Sequence, residues 1–148
     1  MTTIARTRAV TPAECARIRR RTRALAVAAA TGATFTVWAI AAPVAGVDLT
    51  VDTGSGATTV TAAAVVTATV IAGLAAWASL ALVERITRRA AAVWTWTACA
   101  VLLLSLLGPI GSAVGAGTTV ALVAMHVAAG AVLIPILANS SVRCRPAA

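Results

Sequence analysis

Four long apolar stretches divide the chain: Ala24 to Val44, Thr59 to Val83, Ala91 to Ile110 and Thr118 to Leu137, none holding Asp, Glu, Lys or Arg. A helix of about 20 mostly apolar residues crosses the about 30 Å of hydrocarbon in a bilayer. Each stretch is long enough, so the pattern predicts four transmembrane spans. Strands of membrane barrels are only about 10 residues long and alternate strictly. These stretches do not alternate, which predicts helices whose backbone polar groups are satisfied within each segment. Thr59, Thr61, Thr67 and Thr69 dilute the second stretch, but a threonine hydroxyl can bond back to its own helix carbonyls. The fold class expected is an all-α membrane protein, a bundle of four transmembrane helices.

The polar breaks predict how the spans connect. Thr11-Pro12-Ala13-Glu14 reads as a capping box with proline at the first helical position. A helix should begin there and run through the following arginines into the first span, with Met1 to Val10 unstructured before it. Pro43 and Gly46 should end that span. Val47, Leu49 and Val51 then alternate with Asp48 and Thr50, the period of a strand. Asp52-Thr53-Gly54-Ser55-Gly56 reads as a turn and Ala57 to Thr61 as a return. The two readings of this loop are a small β-hairpin, which must rest on helix ends because a lone hairpin is marginal, and a flexible acidic loop. Glu84 to Arg89 forms a tight turn in which Glu84 and Arg88 are spaced i,i+4 for an ion pair. Gly108-Pro109 should end the third span, and a glycine-rich loop, Gly111 to Gly117, leads into the fourth. Residues 1–23 thus form an arginine-rich segment, 24–138 the bundle, and 139–148 a polar tail.

Charge adds an orientation. The 148 residues are 60% hydrophobic and 11% charged, with mean hydropathy +0.95, against about 25% charged residues in soluble domains. All 12 basic residues are arginine. Arg6, Arg8, Arg17, Arg19, Arg20, Arg21 and Arg23 precede the first span; Arg85, Arg88 and Arg89 separate the second and third; Arg143 and Arg145 follow the fourth. The arginines less Glu14 and Glu84 leave +10 on one side, and Asp48 and Asp52 put −2 on the other. The positive-inside rule then places both termini in the cytoplasm and the protein in the cell (inner) membrane. A pI near 11.7 would suit nucleic acid, but the arginines crowd span ends, where they attract anionic lipid headgroups. Arg17, Arg19, Arg20, Arg21, Arg23, Arg85, Arg88 and Arg89 are the candidate lipid contacts, and no nucleic-acid partner is expected. The first apolar run is also longer than the about 7–15 residues of a signal peptide, so it reads as an uncleaved span.

His126 is the chain's one histidine, and it lies within the fourth span. About eight residues from the span end place it about 12 Å deep at 1.5 Å per residue. Its neighbours one turn away include Ala129 and Gly130, so this face should meet another helix. The same depth reaches Thr36 to Trp38 on the first span, Thr67 on the second and roughly Leu102 to Ser105 on the third. His126, Ser105, Thr67 and Trp38 therefore form the candidate intramembrane polar cluster. No span holds a carboxylate to balance a charge, so a neutral imidazole is expected. An ionisable group inside a membrane is a functional candidate; the alternative is a hydrogen-bonded residue that sets helix register. Trp94 and Trp96 should sit in the interfacial belt, while Trp38 and Trp77 need a partner or a headgroup. Small residues recur at spacing four in Ala28, Gly32 and Thr36, in Ala64, Ala68, Ala72 and Ala76, and in Ala124 and Ala128, which predicts close helix packing or a homo-oligomeric contact.

Several chemistries lack their residues. One histidine cannot build a usual His/Cys metal site, and no cofactor is implied. Cys15 and Cys144 fall on the side read as reducing and Cys99 lies in the third span, so disulfides are not expected. A Cys-x-x-Cys pair, a buried glutamate, a Ser-His-Asp set and a phosphate loop are all missing from the sequence, and no enzyme activity is expected.

The residues Gly46-Val47-Asp48-Leu49-Thr50-Val51, Ala72-Gly73-Leu74-Ala75-Ala76-Trp77 and Leu82-Val83-Glu84-Arg85 stand after or within the first two spans. Leu103-Leu104-Ser105-Leu106-Leu107-Gly108-Pro109 follows in the third, and Met125-His126 and Val132-Leu133-Ile134-Pro135 in the fourth. In these the chain resembles a domain-of-unknown-function family, the DUF6069 type, of small four-span actinobacterial membrane proteins. The resemblance covers residues 24 to 138. It implies the same topology and a recurring place for His126, Ser105 and the loop, and it brings no activity. The readings open at this point are a structural or accessory component, a small oligomeric transporter or channel, and a lipid or quinone binder using Trp38 and His126.

Overall fold

The computed structural model describes residues 11–142. Met1 to Val10 lie outside the described residues, as do Arg6, Arg8, Arg143, Cys144 and Arg145. Helix α1, Pro12–Ala39, opens with the capping box: the Thr11 hydroxyl accepts the Glu14 N–H at 3.3 Å, and the Glu14 carboxylate accepts the Thr11 N–H at 2.9 Å. The hydrogen bonds from Thr11 hold the Glu14 carboxyl below the usual glutamate range.

Proline explains where two helices break. A proline has no N–H to return to the carbonyl four residues back, and its ring crowds that carbonyl. Helix α1 stops at Ala39, four residues before Pro43, and the chain widens into a π-helical turn, Ile40–Val44. Helix α3, Ala90–Ser105, stops four residues before Pro109, and the chain resumes as the short α4, Leu107–Ser112. The break therefore falls earlier than Gly108-Pro109, where the sequence placed it. Helices α2, Ala62–Ile86, and α5, Ala116–Val142, complete the bundle.

The hairpin forms. Strands β1, Thr50–Asp52, and β2, Ala57–Thr59, pair antiparallel with Val51 opposite Thr58. Asp52 Oδ1 accepts the Gly54 N–H at 2.8 Å inside the turn. The hairpin rests on the bundle as its marginal size requires. Leu49 is buried, the Val114 N–H donates to the Thr50 carbonyl, and the Thr118 hydroxyl donates to the Asp48 carbonyl at 3.0 Å.

Four helical segments are long and apolar enough to cross a membrane. Around the bundle they run α1, α2, α3, α5, with α2 and α5 on a loosely touching diagonal. One core cluster fills the arginine-bearing half, with Ala26, Ala30, Leu80, Trp94, Leu133 and Leu137; a second fills the hairpin half, with Leu49, Val65, Ala121 and Met125. Glycine permits two close approaches. A Cβ on Gly73 would stand 2.9 Å from Val27, and one on Gly130 would stand 2.5 Å from Leu102. Lipid tails give helices no hydrophobic reason to associate, so such close packing carries the contact.

Several expectations are corrected here. Ala28, Gly32 and Thr36 do not pack against another helix but are exposed on α1. Trp94 does not lie on the bundle surface as a belt residue would: it is buried, and its Nε1–H donates to Ser79 Oγ at 3.0 Å, while Trp96 is 79% exposed. Residues two apart on a helix point in nearly opposite directions, so one of the two tryptophans must turn inward. Glu84 does not share a helix face with Arg88, because α2 ends at Ile86 and Thr87 is extended. Cys15 is disulfide-bonded, against the expectation of free thiols, whereas Cys99 is free. Nothing in the sequence around Cys15 signals that pairing.

Candidate functional site

The packing leaves a gap where the diagonal pair meets in the hairpin half. Ala64, Ala68 and Ala72 line one face of α2, too small to reach α5 across the bundle. The result is a cavity of about 320 Å³ walled by these alanines and by Leu122, Met125, His126 and Ala129 of α5. Thr34 of α1 and Thr69 of α2 close its back, their hydroxyl oxygens 3.1 Å apart. No residue of α3 or α4 lines it, so the cavity opens sideways, toward the hydrocarbon in a membrane. Of the alanine stripe of the second span, Ala64, Ala68 and Ala72 thus shape a void, while Ala76 packs against the core.

His126 stands ten residues into α5, about 15 Å along the helix. Its Nδ1 lies 2.8 Å from the Leu122 carbonyl oxygen of the same helix. The ring makes no hydrogen bond to another helix among the described residues. Interhelical polar links are made elsewhere: Thr34 to Thr69, Trp94 to Ser79, and Arg23 to both Glu84 and Ser140.

The predicted cluster comes together only in part. Ser105 turns back to the Leu102 carbonyl at 2.7 Å, and Thr67 is exposed on α2; neither lines the cavity with His126. Trp38 is half-buried, stacks obliquely near Phe35 with ring centres 5.7 Å apart, and donates Nε1–H to the Val60 carbonyl at 3.0 Å. Val60 separates the His126 cavity from a second hollow, about 460 Å³, beside Trp38, Asp48, Thr59 and Thr61. The residues missed were Thr34 and Thr69. Each lies two positions from a residue named by depth, Thr36 and Thr67. Depth along a helix is legible from sequence, but an error of two residues turns a side chain to the far face.

At the other end, Arg17, Arg19, Arg20, Arg21, Arg85, Arg88 and Arg89 are exposed. Arg23 is corrected: it is only 3% exposed, ion-paired with Glu84, and its Nε–H donates to Ser140 Oγ at 2.9 Å. It ties α1 to α2 and α5 and is withdrawn from headgroups.

Fold and site together define a four-helix membrane bundle with a laterally open, mostly apolar cavity that holds one imidazole. The chain belongs to a family of unknown function (DUF6069), whose model matches residues 14–143, all of the helical bundle but the first two residues of α1. No curated protein and no solved structure matches the chain.

Proposed function

We propose that this protein binds a lipid-like amphiphile in the cavity beside His126, with the hydrocarbon of the ligand against the alanine face of α2 and its polar end at the imidazole. One observation carries the reading: the single histidine lines a laterally open cavity while making no hydrogen bond to another helix among the described residues. Ligand sites are apolar hollows of about 300–1,000 Å³ with a few placed polar groups. No chemical step is proposed.

A structural or accessory role, alone or in an oligomer, is the second reading, favoured by the buried Arg23–Glu84 pair that ties three helices. A channel or transporter through His126 has less support. Below the Thr34–Thr69 pair the interior is filled by Leu80, Trp94, Leu133 and Leu137, and His126 is the one titratable group lining the cavity.

The reading includes a multi-pass protein of the cell membrane with both termini cytoplasmic and exposed arginines against anionic headgroups, supported by the one-sided charge. The disulfide of Cys15 pulls the other way, since disulfides persist in oxidising compartments. Protease access to a tag at either end decides between them.

The binding test is native mass spectrometry of protein purified in mild detergent. Wild type should carry a lipid-like mass that Ala68→Phe, which fills the cavity, releases without unfolding the bundle. Wild type that carries no such mass, with His126→Ala lowering only stability, leaves the structural reading.

A further inference from the structure

We infer that the cavity selects its ligand by hydrogen-bond donation: its occupant is a hydrocarbon headed by a hydroxyl group, an alcohol or a hydroquinone, and not its carbonyl-headed counterpart. This deepens the binding proposal and rests on it. A carbonyl oxygen can only accept a hydrogen bond. The 2.8 Å contact between His126 Nδ1 and the Leu122 carbonyl therefore requires the proton on Nδ1. In a neutral imidazole the other nitrogen is then an acceptor. Nε2 has no partner among the described residues, it is not sealed within the protein, because no buried side-chain nitrogen or oxygen lacks a partner, and its ring lines the cavity.

The two threonines at the back have no proton to offer either. Thr34 Oγ1 donates to the Thr31 carbonyl at 3.0 Å, Thr69 Oγ1 donates to the Val65 carbonyl at 2.8 Å, and the two oxygens also face each other at 3.1 Å. Two hydroxyl protons already meet three acceptors. The Met125 sulfur on the wall is a weak acceptor. The indole N–H of Trp38 is committed to the carbonyl of Val60, which lines the cavity. Among the described residues, every polar side chain that lines this cavity is left to accept. A hydroxyl satisfies that demand, whereas a quinone or aldehyde oxygen would sit unpaired among acceptors in a medium without water.

The chain's one histidine makes the test direct. Protein carrying isotope-labelled histidine, reconstituted in phosphatidylcholine nanodiscs, gives the nitrogen resonances of one imidazole. Without ligand, Nδ1 should be protonated and Nε2 bare. Decylhydroquinone and decylbenzoquinone share shape and tail and differ in donor capacity; decanol supplies an aliphatic hydroxyl. The hydroquinone should shift Nε2 at about tenfold lower concentration than the quinone, the worth of one net hydrogen bond, and Ala68→Phe should abolish the shift. A response to decanol alone assigns the site to aliphatic alcohols, and a response to the hydroquinone alone to aromatic ones; both support the inference. An Nε2-protonated ring in the free protein, or equal titration by quinone and hydroquinone, overturns donor selection and leaves the binding proposal standing. No perturbation by any of the three probes overturns both.

Discussion

Removing the carboxylate of Glu84 tests how this bundle is held. The Arg23 side chain is 3% exposed and that of Glu84 18%. Glu84→Ala leaves a buried guanidinium with Ser140 as its remaining neutral acceptor. Breaking a buried pair by deleting one partner costs about 3–5 kcal/mol. The retained Ser140 bond and the partial exposure of Glu84 put the expectation near the lower bound, about 3 kcal/mol. Replacing both partners by apolar groups of similar volume removes the stranded charge, so Arg23→Met with Glu84→Met should recover most of that loss. Exposed Arg85→Ala is the control and should stay within about 0.5 kcal/mol of wild type. Equilibrium unfolding in mixed micelles reads these differences, with the fluorescence of Trp94, which sits in the same core cluster, as reporter. A double-mutant cycle isolates the coupling. Glu84→Ala indistinguishable from wild type, or a double variant as damaged as the single one, would refute the reasoning.

Four further outcomes are expected. Gly73→Ala should lower stability: its Cβ would stand 2.9 Å from Val27, a β-branched side chain stiff in a helix, and overpacking of about 1–3 kcal/mol outweighs the about 1 kcal/mol of helix propensity gained. Gly32→Ala meets nothing within 4 Å and should be neutral or stabilising in the same unfolding assay. The depressed Glu14 carboxyl adds stability that is present above the usual glutamate range and is lost as pH falls through its lowered folded value; amide-exchange protection in the first turn of α1 should fall there, and Glu14→Gln should flatten the profile. Thiol titration of the denatured, unreduced protein should find fewer thiols than the 3 cysteines of the sequence and find all of them after reduction, because Cys15 is disulfide-bonded.

The spans, the capping box and the hairpin were legible because each rests on local chemistry. Length and hydropathy mark a span, Thr11 and Glu14 can satisfy each other three residues apart, and the alternation around Leu49 has strand period. The helix ends were less legible: a proline disrupts the carbonyl four residues before it, so breaks appear at Ala39 and Ser105 and not at Pro43 and Pro109, while α2 starts at Ala62 rather than Thr59 and α5 runs on to Val142, past Leu137. Rotation about each helix axis was not legible. In this chain nearly every face is alanine, valine or leucine, so no hydrophobic stripe distinguishes inside from outside. Arg23 looked like its exposed neighbours, and Trp94 like Trp96, until packing separated them.

The same uniformity bears on function. A bundle built from alanine packs closely only where opposing surfaces happen to interlock, as Gly73 does with Val27. Where Ala64, Ala68 and Ala72 face α5 across the diagonal of the bundle, their short side chains leave a hollow. A hollow alone would therefore mean little. What distinguishes this one is the cost of its lining: an imidazole in the middle of a span is expensive unless satisfied, and His126 is satisfied on one nitrogen only. If packing alone governed the position, leucine there would fill the hollow and stabilise the protein. His126→Leu should then raise the unfolding free energy while removing the ligand response, so stability and binding would move in opposite directions. Loss of both together would mean that the imidazole serves the fold.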